Sequence, residues 1–216
     1  NFLGKVRAAD DAPRHGDQPA GLLLEQLAER CLVASGDPAQ QCLDLAEQLQ
    51  DPDLLLQAHH AQWGVLFHLS PNELARALAH AQAGIAHYDP TQHHTHVFRY
   101  GSHDPCLCGR QIAAKALWLL GYPDQAKQCG QEALQLGYEL SHPFSLAFIL
   151  KNIASVHILR REVNIVAELT AAAIAIAVER KIPQQLAEGV LLHGWAIAMQ
   201  GDIEQGLAQL LQGIAE

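Results

Sequence analysis

The chain has 216 residues, 49% of them hydrophobic and 17% charged, with a formal net charge of −9 when histidine is neutral. This composition supplies enough apolar side chains for a sizeable core and excludes an intrinsically disordered chain. The 14 lysines and arginines form no basic stripe, which excludes nucleic acid or an anionic membrane as the main partner.

Residues 1–21 carry Gly, Pro and Asp without apolar periodicity and read as a loose leader. The first residue is Asn1 rather than Met, so the chain is expected to be a piece of something longer. From Leu22 onward alanine, leucine and glutamine dominate, and β-branched and aromatic residues are scarce, which is helix-forming chemistry. Proline is tolerated at the first helical position, and a preceding Asp or Ser accepts bonds from the free N–H groups there. Asp37-Pro38, Asp51-Pro52, Ser70-Pro71 and Asp104-Pro105 fit this arrangement, and Ser70-Pro71-Asn72-Glu73 completes a capping box. Pro123, Pro143 and Pro183 mark further starts, while Gly36, Gly121 and Gly201 suit the turns. The punctuation predicts helices over 22–34, 38–50, 53–69, 71–87, 105–120, 123–140, 143–159, 162–180, 184–200 and 202–215, and no strands. Between them lies an irregular, histidine-rich insertion at 88–104, long enough to invite a functional role.

The later helices repeat. Small residues recur at spacings of 12 and then 7 in Ala114/Ala126/Ala133, Ala154/Val166/Ala173 and Gly194/Gly206/Gly213, each set 40 residues after the last. Pro143 and Pro183 share that displacement, as do Gly121, Arg161 and Gly201. Antiparallel helices approach closely only where facing side chains are small, and one pair cannot bury its apolar face alone. A weaker copy runs through Gly64, the Ser70-Pro71 turn and Ala75 to Ala83, and the weakest from Gly36 to Leu49. The pattern predicts an all-α solenoid of about five antiparallel helix pairs over 22–216, wound as a right-handed superhelix.

This small-residue signature resembles the tetratricopeptide repeat (TPR) family, although the period of 40 exceeds the roughly 34 usual there. The segments Leu54–His60, Tyr88-Asp89-Pro90, Tyr100–Pro105, Ala116–Ala126, His142–Ala147 and Gly194-Trp195-Ala196 are similar to the C-terminal helical region of bacterial multidomain signalling ATPases and class III nucleotide cyclases. The resemblance implies a regulatory scaffold whose catalytic modules would lie upstream. It implies that first helices line the concave face of the stack.

Candidate chemistry is thin. There is no Gly-rich phosphate loop, no Gly-x-Ser-x-Gly and no His-Glu-x-x-His, so no enzyme activity and no cofactor are expected. Within the insertion, Tyr88, Phe98, Arg99, Tyr100, His103 and Asp104 are the candidate ligand or partner contacts, because binding residues concentrate on loops held by rigid scaffolds. His93, His96, Cys106 and Cys108 are a candidate metal set, since imidazole and thiolate are good zinc ligands, although Cys-x-Cys is not a standard zinc spacing. Trp63, Trp118 and Trp195 fall in first helices and are expected in the core. Five cysteines, no signal peptide and no apolar run of membrane-spanning length lead to the expectation of a cytoplasmic protein with reduced thiols. The expected function is a scaffold that holds a protein or peptide in its concave groove, with a small-molecule or metal sensor at 88–108, or a self-associating array, as alternatives.

Overall fold

A computed structural model describes residues 37–69, 71–93, 95–99 and 103–215. The expected leader and the expected helix over 22–34 lie outside them. Helix α1 spans Asp37–Leu49, α2 Pro52–Leu69, α3 Leu74–His87, α4 Pro90–His93, α5 His96–Arg99 and α6 Pro105–Leu119. They are followed by α7 Pro123–Leu140, α8 Pro143–Leu159, α9 Val163–Arg180, α10 Pro183–Met199 and α11 Ile203–Ala215. There is no strand among the described residues, and no described helix is long and apolar enough to cross a membrane.

The predicted caps are in place where they can be seen. An Asp51 carboxylate oxygen accepts from the Asp53 and Leu54 N–H groups at 2.9 and 3.3 Å, and Asp104 does the same for Cys106 and Leu107 at 2.9 and 3.1 Å. The Ser70 half of the expected capping box lies outside the described residues. That helix instead enters through a 3-10 turn, Pro71–Glu73, and α3 proper begins at Leu74 without a side-chain cap. The insertion is more ordered than its sequence suggests, because α4 and α5 are single helical turns within it.

The turn within each later pair is the same device repeated. After α6 the Gly121 N–H bonds Trp118 O and the Tyr122 N–H bonds Leu117 O, a Schellman closure. Arg161/Glu162 and Gly201/Asp202 repeat it after α8 and α10. The closure requires a left-handed residue, and φ is +88° at Gly121, +57° at Arg161 and +110° at Gly201.

The predicted small residues lie at the contacts. Ala114, Ala126, Ala133, Ala154, Val166 and Ala173 are all fully buried. In the last pair the helices approach backbone to backbone: a Cβ added to Gly194 would lie 2.8 Å from Gly206 O, and one added to Gly206 would lie 2.6 Å from Ala198 N. Nothing bulkier than glycine fits there. The weaker copy before the insertion is built differently from its expected register. Gly64 faces open space, and the buried small residues of α3 are Ala77, Ala81 and Gly84, not Ala75 and Ala83. The reason is Trp63, fully buried, whose ring occupies the space a Cβ on Gly84 would need, 2.4 Å away. Trp118 and Trp195 are only partly buried, and the Arg160 guanidinium lies 5.5 Å above the Trp118 ring.

The pairs α2/α3, α6/α7, α8/α9 and α10/α11 stack in sequence. First helices also pack on the next first helix, α2 on α6, α6 on α8 and α8 on α10, whereas successive second helices meet weakly at most. A stack that is tight on one side and open on the other curves towards the tight side. First helices therefore form the inner wall, and that wall carries the candidate site.

Candidate functional site

The insertion is closed by its own ends. The Tyr88 hydroxyl donates to Asp104 Oδ2 at 2.7 Å. Asp104 is buried, its other oxygen caps α6, and its N–H donates to Ser145 Oγ at 2.9 Å. Burial pushes the Asp104 carboxyl up from its ordinary range, and the Tyr88 hydroxyl and the two backbone N–H groups oppose this. Tyr88 and Asp104, read from the sequence as ligand contacts, thus direct their polar atoms into the protein as a clasp. Of the other residues in that set, Phe98 is 71% exposed and meets the His142 ring edge to face, ring centroids 6.0 Å apart. Arg99 ends α5, and Tyr100 lies outside the described residues. His103 stacks flat on Phe148 of α8, ring centroids 4.3 Å apart.

The candidate metal set is not brought together. His93 and His96 face Asp53 of α2: His93 Nε2 lies 2.7 Å from one carboxylate oxygen and His96 Nε2 3.4 Å from the other. Cys108 instead lies with His60 of α2 and His103. The Cys106 thiol is pushed up to about 12 by burial, with Arg110 opposing this and Asp104 and Cys129 adding to it. Adjacent positions on a helix point about 100° apart, and Cys106 and Cys108, two positions apart, diverge about twice as far. Asp53 and His60 could not be found from the insertion alone, because they belong to α2 and lie 40 positions or more before the residues they meet.

The Asp53 cluster is a set of hydrogen bonds with a fixed direction. His93 Nδ1 accepts from the Asp89 N–H at 2.8 Å, so its Nε2 carries the proton and donates to Asp53. A nitrogen that carries its proton offers no lone pair to a metal. The cluster fastens the insertion to α2.

Sequence reasoning also missed the lysines of the inner wall. Lys115 of α6 donates to Asn152 Oδ1 of α8 at 2.8 Å. Lys151 of α8 is buried and pairs with Glu188 of α10, and its ammonium lies 5.3 Å from the Phe148 ring centroid. Burial lowers the Lys115 ammonium to about 8, with Lys151 adding to the effect and the Cys108 and Glu188 side chains opposing it. The signal was present in the sequence as a lysine following a short apolar run of a first helix, in Ile112-Ala113-Ala114-Lys115 and Ile149-Leu150-Lys151.

Stacked helix pairs with small-residue contacts and a wall of first helices define a TPR-like repeat fold. The chain is similar to the crystal structure of nearly identical TPR-like repeats from a Podosopora anserina protein described as a kinesin light chain, with a TM-score of 0.58 and 15% sequence identity, covering 92% of this chain and 96% of that one. At that identity the likeness concerns the fold alone. In sequence it is 24% identical over 179 residues to an uncharacterized protein of Rhizobium meliloti (strain 1021), a match that covers 83% of this chain but spans only 17% of that relative. No family model matches.

Proposed function

We propose that this chain is a peptide-binding scaffold, the regulatory module of a larger bacterial signalling protein, and that its inner wall takes an acidic segment of a protein partner. The observation that carries this is the pair of first-helix lysines, the half-buried Lys115 and the buried Lys151, in a chain of net charge −9. Taking an ammonium out of water is costly unless a counter-charge meets it. Glu188 serves Lys151, and Lys115 has the neutral Asn152 oxygen. A carboxylate of a bound peptide would supply the missing charge. Phe98, exposed on the insertion near His142, offers an apolar contact.

The larger setting rests on the bacterial relative, of which this chain spans a small part. A cytoplasmic location suits the reduced thiols of Cys106, Cys108 and Cys129.

The test is fluorescence anisotropy with labelled peptides of matched length, one acidic and one with the acids replaced by their amides. The acidic peptide should bind, and Lys115→Gln with Lys151→Gln should weaken it by 10-fold or more (about 1.4 kcal/mol). Equal binding of the two peptides, or no effect of the lysine substitutions, would defeat the proposal.

A further inference from the structure

The grouping of His60, His103 and Cys108 lies beside the lysine wall and makes a different demand. The three residues come from α2, the end of the insertion and the first turns of α6. One ligand atom from each lies within 4.8 Å of the other two. That spacing suits three donors around a single ion, and two imidazoles with a thiol is a zinc-type donor set.

The hydrogen bonding prepares two of the donors. His60 Nδ1 bonds Gln57 Oε1 at 3.3 Å, which places its proton on Nδ1 and leaves Nε2 with its lone pair. A metal-bound histidine ordinarily gives its other ring N–H to an oxygen in this way. It is the reverse of the situation at His93. His103 Nε2 is buried and has no hydrogen-bond partner among the described residues. A buried ring nitrogen without a partner is costly in a well-packed protein, and an ion would satisfy it.

The surroundings hold the rings in place. His60 stacks on the buried Trp63 with centroids 4.9 Å apart, and His103 is fixed on Phe148. The His60 and His103 rings meet edge to face at 5.6 Å. Burial lowers His60 to about 3 and His103 to about 4, so both are neutral at pH 7, which is the ligating form. Burial raises the Cys108 thiol, while the side chains of Trp63 and Gln111 and the charge of Lys115 favour its thiolate.

We infer that His60, His103 and Cys108 bind one zinc(II) ion, which staples the insertion to α2 and α6, with a water as its fourth ligand. On binding, the Cys108 S–H bond breaks, its electron pair goes to the metal, and one proton is released to solvent. No oxidant or reductant is needed.

The experiment uses the full chain, stripped with a chelator and then given zinc(II), or cobalt(II) as a spectroscopic probe. Elemental analysis after dialysis should find one equivalent of zinc. The cobalt form should show thiolate-to-metal charge transfer and the visible bands of a four-coordinate site. Cys108→Ser and His103→Ala should abolish retention, while Cys106→Ser and Asp53→Asn should keep it. Gln57→Leu removes the partner of His60 together with the 2.9 Å bond from Gln57 Nε2 to His96 Nδ1, and should weaken zinc by roughly 10–100-fold, with Asp53→Asn as the control for a loosened insertion. It serves as the decisive variant if circular dichroism shows Cys108→Ser to be unfolded. Substoichiometric zinc, full retention in folded Cys108→Ser, loss in folded Cys106→Ser or Asp53→Asn, or unchanged affinity in Gln57→Leu would each overturn the assignment. Failure of acidic-peptide binding would leave every one of these readouts unaffected.

Discussion

The Tyr88 hydroxyl and the Asp104 carboxylate are 2.7 Å apart, although sixteen positions of chain separate them. This bond closes the insertion at its base, and the same carboxylate caps α6. Tyr88→Phe removes one bond to a buried charged acceptor and should cost about 2 kcal/mol. Asp104→Ala removes that bond and the cap together and should cost more, roughly 3 kcal/mol. Urea denaturation of the two single variants and the double variant gives the coupling. A coupling near zero would mean that the clasp contributes nothing.

A second prediction concerns two glycines that look alike in the sequence. Gly194 sits where a Cβ would lie 2.8 Å from both Gly206 O and Leu210 N, and backbone cannot give way as a side chain can. Gly194→Ala should destabilise by about 3 kcal/mol. Gly64 lies inside α2 with nothing within 4 Å of an added Cβ, so Gly64→Ala should stabilise by about 0.5–1 kcal/mol through backbone entropy alone. The check is the urea midpoint, with the slope of each transition unchanged.

These two glycines also show what the sequence could and could not disclose. Where the 40-residue register runs, from Pro105 to the end, small residues, prolines and turn residues are all local signals, and the helices fall within about two residues of their expected bounds. Before the insertion the copy is distorted because Trp63 fills the space that small residues hold elsewhere. A displacement of that kind depends on the packing of two helices and leaves no periodic mark. The site was legible only in its chemistry. A run of histidines and cysteines announced metal-type ligands, but which of them converge was decided by α2, which contributes Asp53 to one group and His60 to another. Adjacency in sequence suggested the pairing of Cys106 with Cys108, and helix geometry separates them.

Arg161 occupies a left-handed conformation, φ +57°, at the turn where the flanking repeats have Gly121 and Gly201. A residue with a Cβ is held there at a cost of about 1 kcal/mol. Arg161→Gly should recover part of it despite glycine's greater unfolded-state freedom, and raise the melting temperature by roughly 2 °C. A fall in melting temperature would show that the arginine side chain contributes more than its backbone strain removes.

Lys115 links stability and binding with opposite signs. Its ammonium is lowered to about 8 from an ordinary value of 10.5, chiefly by burial and then by Lys151. Below about pH 8 it is charged in both the folded and unfolded chain, and the fold carries the whole cost of burying it. Between about 8 and 10.5 the folded chain releases the proton while the unfolded chain keeps it, so its contribution to stability rises with pH across that window. Lys115→Met should therefore stabilise the free protein at pH 7 by about 1 kcal/mol and flatten this rise. The acidic peptide needs the charged form, so its affinity should hold steady below about pH 8 and fall above it, and Lys115→Met should lower it while removing that pH dependence. Thermal melts and anisotropy titrations across pH 6–10 measure the two sides. A lysine kept only for packing would give a variant that is less stable and binds equally well. Higher stability with weaker, pH-independent binding is the outcome expected of a charge buried for a ligand.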